Sequence, residues 1–140
     1  MKARIKWVEQ AQFVGSSDSG HAVVMDGPAE GGGRNLGLRP MELVLLGTGG
    51  CTAYDVVDIL KKSRQPIQDC VVEIEADRAD EAPKVFTRIH ILFIVTGKGL
   101  SETAVKRAVD LSAEKYCSAS IMLKRAGVQI SHDYRIVEGV

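Results

Sequence analysis

Along the chain, apolar residues recur in two rhythms, and the switches between them lay out the elements. A period of two, the mark of a half-buried strand, runs through residues 70–77. There Cys70, Val72, Ile74 and Ala76 face one way, and Val71, Glu73, Glu75 and Asp77 the other. Residues 85–96 give a longer strand rich in β-branched and aromatic side chains: Val85, Ile89, Ile91, Phe93 and Val95. Arg78 to Pro83 forms the hairpin loop between these two. Val128, Ile130, His132, Tyr134 and Ile136 make a final alternating strand. Residues 3–8 and 21–25 are short strand candidates, and Gly15-Ser16-Ser17-Asp18-Ser19-Gly20 between them is turn chemistry.

The helical rhythm starts at Pro40, which fits a first turn because its missing N–H has no partner to lose there. From Met41 to about Lys62 the chain reads as one long helix. Leu43, Val44, Leu45 and Leu46 make its first half apolar on almost every side, as expected of a central, buried helix. Lys61, Lys62 and Arg64 suit its negative end, and Pro66 prevents its continuation. Gly47-Thr48-Gly49-Gly50 interrupts the helix at about 1 kcal/mol per glycine relative to alanine. Such a run implies close packing on the backbone or a local distortion, and Cys51 follows it directly. Ser101 is an N-cap for a second helix, with Val105, Ala108, Val109, Ser112 and Tyr116 at helical spacing as far as Cys117. A short further helix runs to Arg125, and Gly127 stops it.

Strands, one long helix, two strands, helix and last strand argue for an α+β fold with antiparallel sheet, one domain over residues 1–140. Residues 26–39 form the longest irregular segment, a mobile loop or a functional flap. Its cations, Arg34 and Arg39, are ordinarily read as solvated loop charge.

The bulk numbers narrow the partners. The 18 basic and 18 acidic residues cancel, which argues against nucleic acid or anionic lipid. Hydrophobic residues at 45% and charged residues at 26% are ordinary for a soluble domain. Met1-Lys2-Ala3-Arg4-Ile5-Lys6-Trp7 leads into no uninterrupted apolar run, so no secretory signal is expected. The most apolar stretch, Leu43 to Cys51, is too short to span a bilayer. A cytoplasmic chain is expected, with its three cysteines reduced.

Cys51 and Cys117 stand 66 residues apart, so no CxxC or zinc-knuckle spacing is present. Both have small neighbours, Gly49, Gly50 and Thr52 for one and Ser118, Ala119 and Ser120 for the other. Those neighbours leave room for a second sulfur or a substrate. The plain alternative is that both are small buried hydrophobes, which is also the reading of Cys70. His21, His90 and His132 lie far apart on strands and read as structural or surface residues. No cofactor-binding phosphate loop is present, because the glycines lie within a helix rather than between strand and helix. No resident metal or cofactor is expected.

The stretch Arg39-Pro40-Met41-Glu42-Leu43-Val44-Leu45-Leu46-Gly47-Thr48-Gly49-Gly50-Cys51-Thr52-Ala53 resembles the central-helix motif of the OsmC and organic hydroperoxide resistance family. Ala113-Glu114-Lys115-Tyr116-Cys117-Ser118-Ala119-Ser120 resembles its second cysteine motif. Phe93-Ile94-Val95-Thr96-Gly97 and Ala108 to Ser118 look closest to a YhfA-like branch of that family. The resemblance implies an OsmC-like fold in which antiparallel sheets surround a long central helix within an intertwined homodimer. It also implies reduction of organic hydroperoxides or hydrogen peroxide, with Cys51 attacking the O–O bond, Cys117 resolving it as a disulfide and an external dithiol restoring both.

The family's peroxidases hold an activating arginine with a glutamate that directly follows the proline. Here that position is Met41, with Glu42 one residue on, about 100° around the helix. Two other readings therefore stand beside the peroxidase. One is an OsmC-fold protein that binds a small apolar molecule or senses redox state. The other is a purely structural or interaction domain.

Overall fold

The computed structural model describes all residues, Met1–Val140. The chain falls into two compact units, Met1–Leu45 and Leu46–Val140.

The first unit is built on a three-stranded antiparallel sheet of β1 (Ala3–Glu9), β2 (Gln12–Ser17) and β3 (Ala22–Met25), in that order. Strand β2 is an addition to the sequence expectation, which assigned residues 15–20 to a turn. Gly15, Ser16 and Ser17 instead pair with β1 on one side, and Gly15 and Ser16 with β3 on the other. The smallness of Gly15 has a use in the sheet, since a Cβ there would meet the Met25 side chain at 3.2 Å. The turn proper is confined to the residues before β3, where Gly20 takes φ +92°.

Residues 26–39 are ordered around one buried carboxylate. Asp26 accepts hydrogen bonds from the backbone N–H groups of Gly27 (2.7 Å), Leu36 (3.1 Å) and Arg34 (3.3 Å). Burial alone would raise its pKa, but these three donors and the Arg34 charge bring the carboxyl below its usual range.

Helix α1 (Pro40–Lys62) has the predicted span and start. Glu42 accepts the backbone N–H of Arg39 at 2.8 Å, the reach-back half of a capping box. The helix is not buried throughout. Val44 and Leu46 in its first half are 41% and 57% exposed, and the buried line is Thr48, Gly49, Thr52, Val56 and Leu60. Taken whole, α1 is long and apolar enough to cross a bilayer, although the shorter stretch Leu43 to Cys51 is not. Gly49 explains one of the three helix glycines, because a Cβ there would fall 2.6 Å from Ile74 Cδ1. At Gly47 and Gly50 the same atom would meet open space.

The second unit holds the well-packed core. Strands β4 (Ile67–Arg78) and β5 (Phe86–Gly97) form the expected antiparallel hairpin. Alternate residues of β5, including Ile89, Ile91, Phe93 and Val95, are fully or nearly fully buried. Helix α2 (Glu102–Leu111) starts at Ser101, whose hydroxyl accepts from Ala104 N. A wide π turn (Ser112–Tyr116) follows, then α3 (Ser118–Arg125) and β6 (Gln129–Glu138).

Strand β6 pairs with β5 in parallel, which corrects the all-antiparallel expectation. The helical connection returns the chain to the end of the sheet from which β5 began, so β6 runs the same way. The result is an α+β fold of two small sheets and three α-helices.

Candidate functional site

The π turn sets the site. Five residues in a wide helical turn break the α phase after Leu111, and Cys117 leaves the helix with φ −72° and ψ 100°. Cys117 is thus not inside a helix, as the spacing predicts, but caps the next one. Its Sγ accepts the Ser120 backbone N–H at 3.4 Å. The same break leaves Tyr116 half exposed while Ser112 stays buried. Single π turns recur at functional sites because they re-aim the residue that follows.

The re-aimed residue meets α1. Cys51 Sγ, Cys117 Sγ and an Asp55 carboxylate oxygen all lie within 4.8 Å of one another. Cys51 and Asp55 are one turn apart, so they share a helix face. Cys117 is fully buried, and Cys51 and Asp55 are half-buried. Both cysteines are free thiols.

Hydroxyl groups lock the pair of elements together. Thr52 Oγ1 and Ser112 Oγ are 2.7 Å apart, both buried. Ser112 Oγ donates to Asp55 Oδ2 at 3.1 Å, because an ionised carboxylate can only accept. Thr52 is then the donor to Ser112, and the chain Thr52–Ser112–Asp55 fixes the carboxylate beside the two sulfurs.

Burial pushes the Cys117 thiol up. The Ser120 hydrogen bonds act the other way, but a hydrogen bond to Cys51 and the negative charge of a Cys51 thiolate raise it further. Cys70, the third cysteine, lies on β4, and its thiol is also pushed up, by burial and by Asp69.

A cavity of about 80 Å³ has Thr52, Phe93, Ser120, Lys124 and His132 among its walls. His132 Nε2 is 3.2 Å from Asp110 Oδ1, and Lys106 Nζ is 2.5 Å from Asp110 Oδ2. Lys106 foremost, and His132 after it, hold the Asp110 carboxyl below its usual range despite partial desolvation. His90 Nδ1 lies 2.7 Å from Ser131 Oγ.

The two loop arginines are engaged within the first unit. Arg34 pairs with Glu9 at 2.6 Å and reaches Gln12, and Arg39 donates to Asn35 Oδ1 and the Gly37 carbonyl. Asp55 and Ser112 were not singled out from sequence as site residues. The Cys51-x-x-x-Asp55 spacing carries a signal for the first. Ser112 carries none beyond its helical spacing from Val105, Ala108 and Val109.

The comparisons agree on kinship. The family model described as "OsmC-like protein" matches residues 31–133. The protein YhfA of Escherichia coli (strain K12) is 52% identical over 137 residues, covering 98% of each chain. Among solved structures, an OsmC-like protein from Mycoplasma pneumoniae superposes with a TM-score of 0.83 at 16% identity, over 97% of this chain and 96% of that one. The organic hydroperoxide resistance protein OhrB of Bacillus subtilis gives 0.62 at 21% identity, over 96% and 98%. The last two bear on the fold alone. With the family match and the near-full-length YhfA relationship together, the chain belongs to the OsmC-like protein family.

Proposed function

We propose that this chain is a thiol-dependent redox protein that reduces organic hydroperoxides or hydrogen peroxide. The observation that carries the reading is the juxtaposition of two free cysteines, 66 residues apart in sequence, with sulfurs within 4.8 Å. Cys51 is the attacking residue. Its thiolate displaces alkoxide from the peroxide O–O bond, leaving a sulfenic acid on Cys51 and an alcohol once the alkoxide is protonated. Cys117 then attacks that sulfur, expels water and closes a disulfide, and an external dithiol returns both thiols. Closure to a bond of about 2.05 Å needs an approach of less than about 3 Å.

The electrostatics favour this division of roles. Burial and the neighbouring Cys51 push the Cys117 thiol up, which suits the sulfur that waits to resolve. No cofactor or resident metal is needed for the reaction. The protein is proposed to work in the cytoplasm, with neither nucleic acid nor membrane as partner, and as a single domain over residues 1–140.

It is also proposed to act as a homodimer. Val44, Leu46 and Tyr54 are exposed along α1, and Gly47 and Gly50 leave its backbone open to close approach. Light scattering at micromolar concentration is expected to give twice the chain mass, and a stable monomer would overturn the dimer.

One specific observation favours the second reading, an OsmC-fold protein without efficient peroxidase activity that binds a small apolar molecule or senses redox state. Met41 follows the proline, and the Glu42 carboxylate caps the Arg39 backbone N–H. The deciding experiment treats reduced protein with a slight excess of cumene hydroperoxide and follows peroxide loss, with a non-reducing gel and mass spectrometry. Rapid loss with a Cys51–Cys117 disulfide, abolished by Cys51→Ser, supports the peroxidase. Background loss and no disulfide reject it in favour of the second reading.

A further inference from the structure

The same two sulfurs have a third neighbour for which the peroxide chemistry has no use. Cys51 and Asp55 project from one face of α1, and Cys117 meets them from the cap of α3. In a tetrahedral zinc site with Zn–S near 2.3 Å and Zn–O near 2.1 Å, neighbouring ligand atoms lie about 3.6–3.8 Å apart. The three atoms here, all within 4.8 Å, reach that arrangement by closing about 1 Å. Two thiolates and a carboxylate are also a chemically suitable set for zinc, which accepts both soft sulfur and oxygen.

Two of the ligands already have the outer partners that metal sites use to orient them. Ser112 Oγ donates to Asp55 Oδ2, and Ser120 N–H donates to Cys117 Sγ.

We propose that the reduced protein binds one zinc(II) ion through Cys51 Sγ, Cys117 Sγ and an Asp55 carboxylate oxygen, with the fourth position open to water or a small thiol. Binding takes both thiols to thiolates and releases their protons, so affinity rises with pH. A Cys51–Cys117 disulfide removes two of the three ligands, so only the reduced protein holds the ion. The site shares its cysteines with the proposed peroxidase but requires no peroxide turnover, and each can fail without the other.

The test uses reduced, metal-free protein without oxygen, titrated with cobalt(II) as a spectroscopic probe and then with zinc(II). One cobalt per chain is expected, with tetrahedral ligand-field bands and near-ultraviolet sulfur-to-cobalt charge transfer, both bleached by one equivalent of zinc. In the unmutated protein, zinc is expected to shield Cys51 and Cys117 from iodoacetamide, read by mass spectrometry, while Cys70 alkylates at its metal-free rate. Outer partners are worth about 10–100-fold in metal affinity, so losing the ligand itself through Asp55→Asn is expected to weaken zinc at least about tenfold. Absence of a saturable charge-transfer band would overturn the site. So would unchanged alkylation of Cys51 and Cys117 with zinc, or an Asp55→Asn protein that binds as tightly as the parent.

Discussion

The two sheets of this chain are built from similar residues and buried very differently. In the second sheet, β5 sends Ile89, Ile91, Phe93 and Val95 into a core where none is more than 3% exposed. In the first sheet, register places Ile5, Trp7, Phe13, Val23 and Met25 on one face, yet Ile5 and Trp7 remain about 60% exposed. Contiguous apolar surface of this kind marks an interaction site more often than chance exposure. The second sheet completes its own core within the chain. The first presents an apolar face with Ile5 and Trp7 exposed, in keeping with the proposed homodimer.

Substitutions can break this contrast. Phe93→Ala removes a fully buried ring and is expected to destabilise the chain by about 3–5 kcal/mol in urea unfolding. A loss below about 1 kcal/mol would mean that the second core is not the main source of stability. Ser112→Ala leaves Thr52 Oγ1 and Asp55 Oδ2 without their shared partner and is expected to cost about 1–3 kcal/mol. It should also slow closure of the Cys51–Cys117 disulfide, measured by stopped oxidation and mass spectrometry.

Trp7→Ser is expected to change unfolding of dilute protein by no more than about 0.5 kcal/mol. Its larger effect should be on assembly, as a shift toward monomer in sedimentation velocity. A large loss of stability with no change in assembly would reverse the comparison. The smallest effect is that of acid on the first unit. The folded Asp26 carboxyl titrates below its unfolded value near 3.9, so its contribution is complete above that pH and is lost as pH falls through the folded value. Amide exchange at Gly27, Arg34 and Leu36 should then speed up in acid, and Asp26→Asn should remove that pH dependence.

Strong periodicity was the legible part of the sequence. The alternation in residues 70–77 and in the last strand matches β4 and β6, and Pro40 and Ser101 mark the starts of two helices. Elements that depend on pairing rather than composition were hidden. Gly15-Ser16-Ser17 has turn composition but lies in a central strand, because its neighbours on both sides supply the ladder. The direction of β6 is likewise a property of the connection, which alternation along a single strand does not encode. At the site, both cysteines could be named from their motifs. Asp55 is hidden in the sequence because it lies among the apolar residues of a long helix whose pattern is dominated by its core face. The π turn is hidden because Ser112 to Tyr116 has ordinary helix-forming composition.

That turn has a consequence for how the chain tolerates insertions and deletions. It holds one residue more than an α-helical turn needs, so α2 and α3 are not locked into a common helical phase. Deleting a single residue, such as Ala113, would let the segment close into ordinary α-helix and rotate Cys117 by about 100° away from Cys51. The length of this stretch is therefore as much a part of the thiol pairing as the cysteines themselves. A chain could keep both cysteines and its whole core, and lose the pairing through one missing codon.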